Sequence, residues 1–379
     1  MTTVIINARK VDADGVTESF WMRFAGSRIT ETGTGSPSVS PNDAVVDAAG
    51  KWLTPGFIDI HCHGGGGYSF TGDAAEITAA VLSHRQHGTT RTVVSLVSGS
   101  IDSLAESLQA VAGLAKGDNL ILGSHLEGPF LSPHHHGAHN PDLLTTPTPE
   151  ALERLLSASA GTLVQVTIAP ELPGALAGIE TLVAQGVRVA IGHTNANYQI
   201  AQQAFERGAT IVTHAFNAMP PIHHRQPGPI VAAFEDERVT LELILDGHHV
   251  AAPAARLVFH QAPGRIALVT DAMAAAGAGD GTYLLGDLEV TVVQGRAVLA
   301  GGATLAGSTL TQDAALRFAV LTAGLGPIEA VAALTSTPAR VLGREEDLGY
   351  LRPGYLADAV LLSEDWTVQR VWAGGVTQI

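Results

Sequence analysis

The sequence predicts an α/β protein: a (β/α)8 TIM barrel carrying a small β-sandwich domain built from both termini. Two features of the middle of the chain and one of its ends support this. Residues 57 to 271 repeat one theme, a short apolar run, a polar loop, a helical stretch and a glycine. The runs are PGFIDI, TRTVVSLV, NLILGSHL, LVQVTIAP, VRVAIGH, TIVTHAF, VTLELIL and RIALVTD. Near-continuous Val, Ile and Leu reads as parallel strands buried on both faces, and eight such strands with their helices suit a closed barrel. A doubly wound open sheet is the competing arrangement. The amphipathic stretches between the runs, such as SLAESLQAVAGLAKG and TPEALERLLSASAG, end at Gly88, Gly117, Gly161 and Gly208, where a left-handed residue closes a helix.

The ends differ in character. TVIINARKV, SFWMRFAG and RITETG alternate, as does DAVLLSEDWTVQRVWAGGVTQI. The expected boundaries are therefore 1–53 and 355–379 for the β-domain and 54–354 for the barrel. The stretch TYLLGDLEVTVVQGRAVLA reads as a β-hairpin inserted near 283–300.

Composition narrows the function. Across 379 residues, 46% are hydrophobic and 15% charged, which allows a large core and excludes global disorder. The net charge of −15, with no basic run, argues against nucleic acid or an anionic membrane as partner. The single cysteine, Cys62, excludes an intramolecular disulfide and suits a reducing, cytoplasmic setting. The start MTTVIINARK shows no signal-peptide pattern, and no run has the length of a membrane span. Sixteen histidines ask for a chemical reason.

That reason lies at the C-terminal ends of the expected strands. His61 and His63 follow the first, Glu127 the third, His193 the fifth and His214 the sixth. Asp246, His248 and His249 follow the seventh and Asp271 the eighth. In a barrel these ends share one rim, where active sites form. Alternation along the strand turns His61 and His63 the same way and Cys62 the other. Four imidazoles and two carboxylates form a donor set for zinc or a similar divalent ion, whereas any one of them alone would read as an ordinary structural residue. Asp271 can serve as ligand, as general base, or as both. In SPHHHGAHNP, His134, His135 and His136 read as a solvent-facing patch, and His139 stands apart. Arg225, in a Gly/Pro-rich loop of an otherwise acidic chain, suggests an anionic substrate group. Nucleotide-binding glycine motifs and a GxSxG elbow are missing from the sequence.

The motifs PGFIDIHCHG, LEGPF, GAHNP, IGHTNA, THAFNAMP, DGHHV, VTDAM and LAGSTLT, in this order, resemble those of the N-acetylglucosamine-6-phosphate deacetylase family of the amidohydrolase superfamily. The likeness spans nearly the whole chain. It implies hydrolysis of the acetamide of N-acetylglucosamine 6-phosphate, in amino-sugar catabolism or cell-wall sugar recycling. It also implies one or two divalent ions, zinc first, with iron, manganese and cobalt as alternatives. Residue by residue, it implies Glu127, His193 and His214 at one metal. His61, His63 and Asp271 would sit at a second, with Glu127 bridging. Asp271 would be the catalytic aspartate and His139 the group holding the acetyl carbonyl. Asn217, Ala218, Arg225 and His249 would hold the phosphate, and Ala138 with Leu305, Ala306 and Gly307 would make further substrate contacts. A homodimer is implied as well. Other readings are a deacetylase of N-acetylgalactosamine 6-phosphate, an N-acyl amino acid hydrolase, or a non-catalytic relative used in assembly.

Overall fold

In the computed structural model, which describes residues 2–379, each of the eight apolar runs is a strand. They are Phe57–Cys62, Thr89–Leu96, Ile121–Glu127, Leu163–Ile168, Arg188–Ile191, Ile211–Val212, Thr240–Leu243 and Ile266–Leu268. They form one sheet in sequence order, and every pair whose register is defined is parallel. Beyond the ladder the first and last strands meet: Asp271 N–H donates to the His61 carbonyl at 2.8 Å and His63 N–H to that of Ala272 at 2.8 Å. The barrel thus closes at the ends where the polar residues lie.

The helices follow local rules. Ile101–Gly117 starts at Ser100, whose hydroxyl accepts from the Ser103 N–H, and buries Leu104, Ala105, Leu108, Val111 and Ala112 on one stripe. Pro149–Ser159 has Thr148 as its cap and proline in its first turn. Gly88, Gly161 and Gly208 take positive φ as expected. Gly117 does not. The helix runs through it and stops at Asp118, whose carboxylate accepts the Leu120 N–H at 2.9 Å in an Asx turn that needs no left-handed residue.

The segment after the eighth strand also departs from expectation. It is a three-stranded antiparallel meander, Gly281–Leu285, Leu288–Val293 and Arg296–Leu299, where the sequence suggested a single hairpin. The turn at Gln294 and Gly295, both at positive φ, makes the third strand. Val290, Val292 and Ala297 then bury a small core with Leu285, Met273 and Ala306.

The chain resolves into two compact units. One comprises residues up to Asp59 with Leu82–Arg91 and Thr311–Ile379; the other comprises Ile60–Val81 and Thr92–Leu310. Within the first, both termini share one eight-stranded sheet. Its order is Val376–Thr377, Val368–Ala373, Ala359–Leu362, Trp52–Pro55, Thr2–Asp12, Gly15–Ala25 and Arg28–Thr34, with Ala44–Asp47 also paired to Thr2–Asp12. Three strands separate those of Phe24 and Trp372 in that order, yet their rings meet edge to face at 6.5 Å. The sheet therefore curls over one core, in which Ile5, Phe20, Met22, Phe24, Leu53, Leu361 and Trp372 are buried. In the same unit the buried Arg91 grips Asp358 with two bonds of 2.6 and 3.1 Å; removing either partner would strand a charge, at a cost of about 3–5 kcal/mol.

Candidate metal centre and substrate cavity

The strand ends deliver the polar side chains to one cavity of about 430 Å³, a size typical of small-molecule sites. His63, Glu127, Ala138, His139, His193, His214, Asn217, Ala218, His249, Asp271, Leu305 and Gly307 line it. His61 sits fully buried just behind His63. Ala306 is buried in the core beneath the inserted meander, and Arg225 lies exposed on its loop with Nη1 against His224 Nε2 at 2.7 Å; neither is part of the wall. His134 is exposed as expected and His135 and His136 are half-buried, but all three line the cavity, and His135 contributes its carbonyl. Of the adjacent pair after the seventh strand, His249 faces the cavity with Nδ1 held by Asp246 at 2.7 Å, while His248 is exposed.

Backbone conformation aims several of these groups. His193, His214, Ala218 and Asp271 all have φ between 26° and 50°, which L-residues adopt at a cost of about 1–3 kcal/mol each. Such turns swing a side chain from the strand end into the barrel mouth. Gly128 (φ +94°) is a glycine of necessity, because a Cβ there would fall on the Ser98 hydroxyl.

Glu127 is the hub. Its Oε1 is 3.2 Å from His193 Nε2 and 3.0 Å from His214 Nε2, and those two nitrogens are 3.0 Å apart. Its Oε2 is 2.9 Å from His63 Nε2. His61 Nε2 is 3.1 Å from His63 Nε2 and 3.3 Å from Glu127 Oε1, and Asp271 Oδ1 stands 3.3 and 3.5 Å from the His63 and His61 nitrogens. Donor atoms bound at about 2.0–2.1 Å around a tetrahedral ion lie about 3.3 Å from one another. The two groups, His61/His63/Glu127/Asp271 and Glu127/His193/His214, match that spacing and share Glu127.

Hydrogen bonds on the far side of each ring decide what each histidine offers. His61 Nδ1 faces the Glu242 carboxylate at 3.0 Å, His63 Nδ1 the Ser95 carbonyl at 3.2 Å, and His193 Nδ1 the His135 carbonyl at 2.9 Å. All three partners are acceptors, so Nδ1 carries the proton and Nε2 presents a lone pair, as a metal ligand must. His139 is reversed. Its Nδ1 accepts the Ser98 backbone N–H at 3.3 Å, which places the proton on Nε2, 3.5 Å from Glu127 Oε2. By distance alone, Glu127, His139 and His193 also qualify as an ion-binding group. The tautomer instead leaves His139 presenting an N–H, not a lone pair, beside Glu127.

Electrostatics fit a cation at the hub. Burial pushes the Asp271 carboxyl up, but His61 and His63 outweigh it and hold the group at about 2. Burial likewise works against the Glu127 carboxylate, yet His61 and the hydrogen bonds from His139, His193 and His214 keep it well below its usual range. Burial lowers His63, and Asp271 and Glu127 overcome it and lift the imidazole to about 9; the charge they favour is a second proton, on Nε2, which a bound ion would replace. At His193 burial prevails and pulls the imidazole to about 4. Two ionised carboxylates thus gather positive charge around them. The Nδ1 of His214 is buried without a hydrogen-bond partner among the described residues, and such an orphan asks for a functional explanation.

Sequence reasoning missed the layer beneath. Glu242, Gln165, His125, Ser95 and Thr167 fill the barrel interior, with His125 bridging the Ser95 and Thr167 hydroxyls at 2.9 Å each. The signals were present: a charge inside the apolar run VTLELIL, and a histidine two residues before Glu127, on the same face of its strand.

The model of the amidohydrolase family matches residues 52–377. The chain belongs to the amidohydrolase family. Within it, the chain is 37% identical over 379 residues to an N-acetylgalactosamine-6-phosphate deacetylase of Escherichia coli O157:H7, spanning 99% of both chains. It is also 37% identical over 331 residues to the N-acetylglucosamine-6-phosphate deacetylase of Vibrio furnissii, covering 85% of this chain and 82% of that one. Its fold matches the N-acetyl-D-glucosamine-6-phosphate deacetylase of Mycobacterium smegmatis with a TM-score of 0.94 and 40% identity over 100% of both chains. A mutant of that amidohydrolase, solved in complex with N-acetyl-D-glucosamine-6-phosphate, matches equally well, with a TM-score of 0.94 and 40% identity.

Proposed function

We propose that this amidohydrolase cleaves the acetamide of N-acetylglucosamine 6-phosphate, giving glucosamine 6-phosphate and acetate. The observation that carries the reading is the opposition of tautomers around Glu127. His61, His63 and His193 present lone pairs, while His139 presents an N–H to the same cavity. Glu127, His193 and His214 would hold a divalent ion, with His61, His63 and Asp271 available to a second, and such an ion would supply Lewis acidity toward water and the amide carbonyl. The all-nitrogen-and-oxygen donor set suits zinc, and iron, manganese or cobalt also fit it.

Asp271, ionised at neutral pH, takes a proton from the attacking water as its oxygen bonds to the carbonyl carbon. His139 donates Nε2–H to the carbonyl oxygen as negative charge develops there. Asp271 then returns the proton to the nitrogen as the C–N bond breaks, so one carboxylate serves both steps. Asn217, Ala218 and His249 line the end of the cavity proposed for the sugar phosphate, and Arg225 is proposed to reach it from its loop. Ala138 and the Leu305–Gly307 turn flank the sugar. A homodimer in the cytoplasm completes the proposal; one lone, buried cysteine and a phosphorylated substrate suit that compartment.

A second substrate is favoured by one finding, the relationship across 99% of the chain to an N-acetylgalactosamine-6-phosphate deacetylase. Acetate release from the two 6-phosphates and from unphosphorylated N-acetylglucosamine, run side by side, separates the readings. Fastest turnover of N-acetylglucosamine 6-phosphate supports the first. Faster turnover of the galactosamine epimer transfers the assignment, and indifference to the phosphate overturns both.

A further inference from the structure

Glu242 lies in the seventh barrel strand, Thr240–Leu243, with its side chain fully buried. Its Oε2 faces His61 Nδ1 at 3.0 Å and accepts the His214 backbone N–H at 3.4 Å, while Gln165 Nε2 donates to its Oε1 at 2.8 Å. Among the described residues no lysine or arginine pairs with it. A carboxylate buried with only an imidazole and amides around it is a poor choice for stability. Its location explains it. It touches one histidine from each half of the proposed centre, through the ring nitrogen of His61 and the backbone of His214, where the chain holds a left-handed turn (φ 26°).

We propose that Glu242 is a positioning residue for the metal centre: it holds the proton on Nδ1 of His61, keeps Nε2 of that ring as a ligand, and sets the affinity of the His61/His63/Asp271 half. The charge of Glu242 is passed through the imidazole toward the ion, the arrangement by which a carboxylate raises the basicity of a ligating histidine. The effect on a ligating ring falls on one half, because only the His61 imidazole meets Glu242, whereas His214 meets it through the backbone. His193 takes its orientation from the His135 carbonyl, and Nδ1 of His214 makes no hydrogen bond to Glu242.

Glu242→Gln isolates the charge. The amide oxygen can still accept from His61, and Gln165, whose buried Oε1 has no partner, can turn its amide to receive the new NH2. The proposal rests on the metal-centre reading above but not on the substrate, so the test uses the metal alone. The full-length chain, stripped with chelator, is titrated with zinc(II) or cobalt(II) by calorimetry, beside the wild type. The expected result is 10–100-fold weaker binding of one ion, with any other ion bound within about twofold of wild type. Unchanged affinity for every ion the wild type binds overturns the proposal, whether the wild type binds one or two. So does loss of all ions together. If the glutamine variant fails to fold, Glu242→Asp replaces it: withdrawing the carboxylate by one methylene from Nδ1 should give the same selective loss, and normal binding would again refute the role. Melting in chelator adds a readout a scaffold residue would not give. Glu242→Gln should match or exceed the wild type there, and fall behind it only once zinc is added.

Discussion

Asp271→Asn is the most direct test of the proposed chemistry, and the structure recommends asparagine over alanine. Asp271 has φ 48°, and its backbone is pinned by N–H donation to the His61 carbonyl at 2.8 Å and by acceptance of the Ser308 N–H at 2.7 Å. Asparagine tolerates the left-handed region better than other L-residues, so the turn survives. The amide keeps the shape of the carboxylate but has no basic oxygen. In the wild type that oxygen is 3.3 Å from His63 Nε2, and with the carboxyl held at about 2 the group is ionised at neutral pH. A positioned general base contributes about 10²–10⁴-fold, or about 2.7–5.4 kcal/mol of barrier. Because the same atom receives the proton and returns it to the leaving nitrogen, kcat should fall by about 10³–10⁴-fold. KM should change little, since the groups proposed to hold the phosphate and sugar are other residues. The assay is acetate release at saturating N-acetylglucosamine 6-phosphate, with the metal content of the same preparation. Near-normal turnover with normal metal would show that another residue is the base. Complete loss of metal would place Asp271 at the main ion and refute the division into two halves.

Substituting His193 or His214 by alanine should remove metal and activity together, while His61 or His63 should leave an ion at Glu127; elemental analysis of the four variants that shows equal loss would argue against the division. Arg225→Ala should lower kcat/KM for the phosphosugar by about 1.5–3 kcal/mol and barely alter turnover of unphosphorylated N-acetylglucosamine. Equal losses on both substrates would make it a loop-shaping arginine. Away from the site, burial raises the Asp313 carboxyl, but His87, Thr311 and Arg317 outweigh it and hold it at about 2, against an ordinary 3.8. The stability it contributes is therefore present above about pH 4 and lost as pH falls through 2. Asp313→Asn should cost about 2 kcal/mol at pH 7 and progressively less in urea melts toward pH 2. A gap independent of pH would mean that the hydrogen-bond geometry, and not the charge, matters there.

How much was legible in the sequence follows from the range of each interaction. The eight barrel strands could be read because burial on both faces leaves a local mark, an unbroken apolar run. The cluster of proposed ligands could be read for the same reason: His61, His63, Glu127, His193, His214 and Asp271 each end such a run, and a closed parallel barrel collects strand ends on one rim. The inserted segment was misread because a turn of Gln294 and Gly295 signals a reversal without saying how many strands flank it. Gly117 was misread because the Asp118 side chain, closing on Leu120, ended the helix by another route.

The sequence by itself determined the barrel, the terminal origin of the β-domain, and the identity of the groups that meet at the rim. Patterns of burial and of residue type are written along the chain, and these three things follow from them. The tertiary structure alone decided what each group offers there. Which nitrogen of a histidine carries its proton depends on a partner up to 181 residues away, as Glu242 is from His61. The backbone amide of Ser98 leaves His139 with its proton on Nε2, while carbonyls hold the proton on Nδ1 of His63 and His193. It likewise selected His249 over His248, and set Arg225 outside the cavity wall. Such choices are made by hydrogen bonds of about 3 Å between residues distant in the chain, and only the folded barrel brings their donors and acceptors within reach.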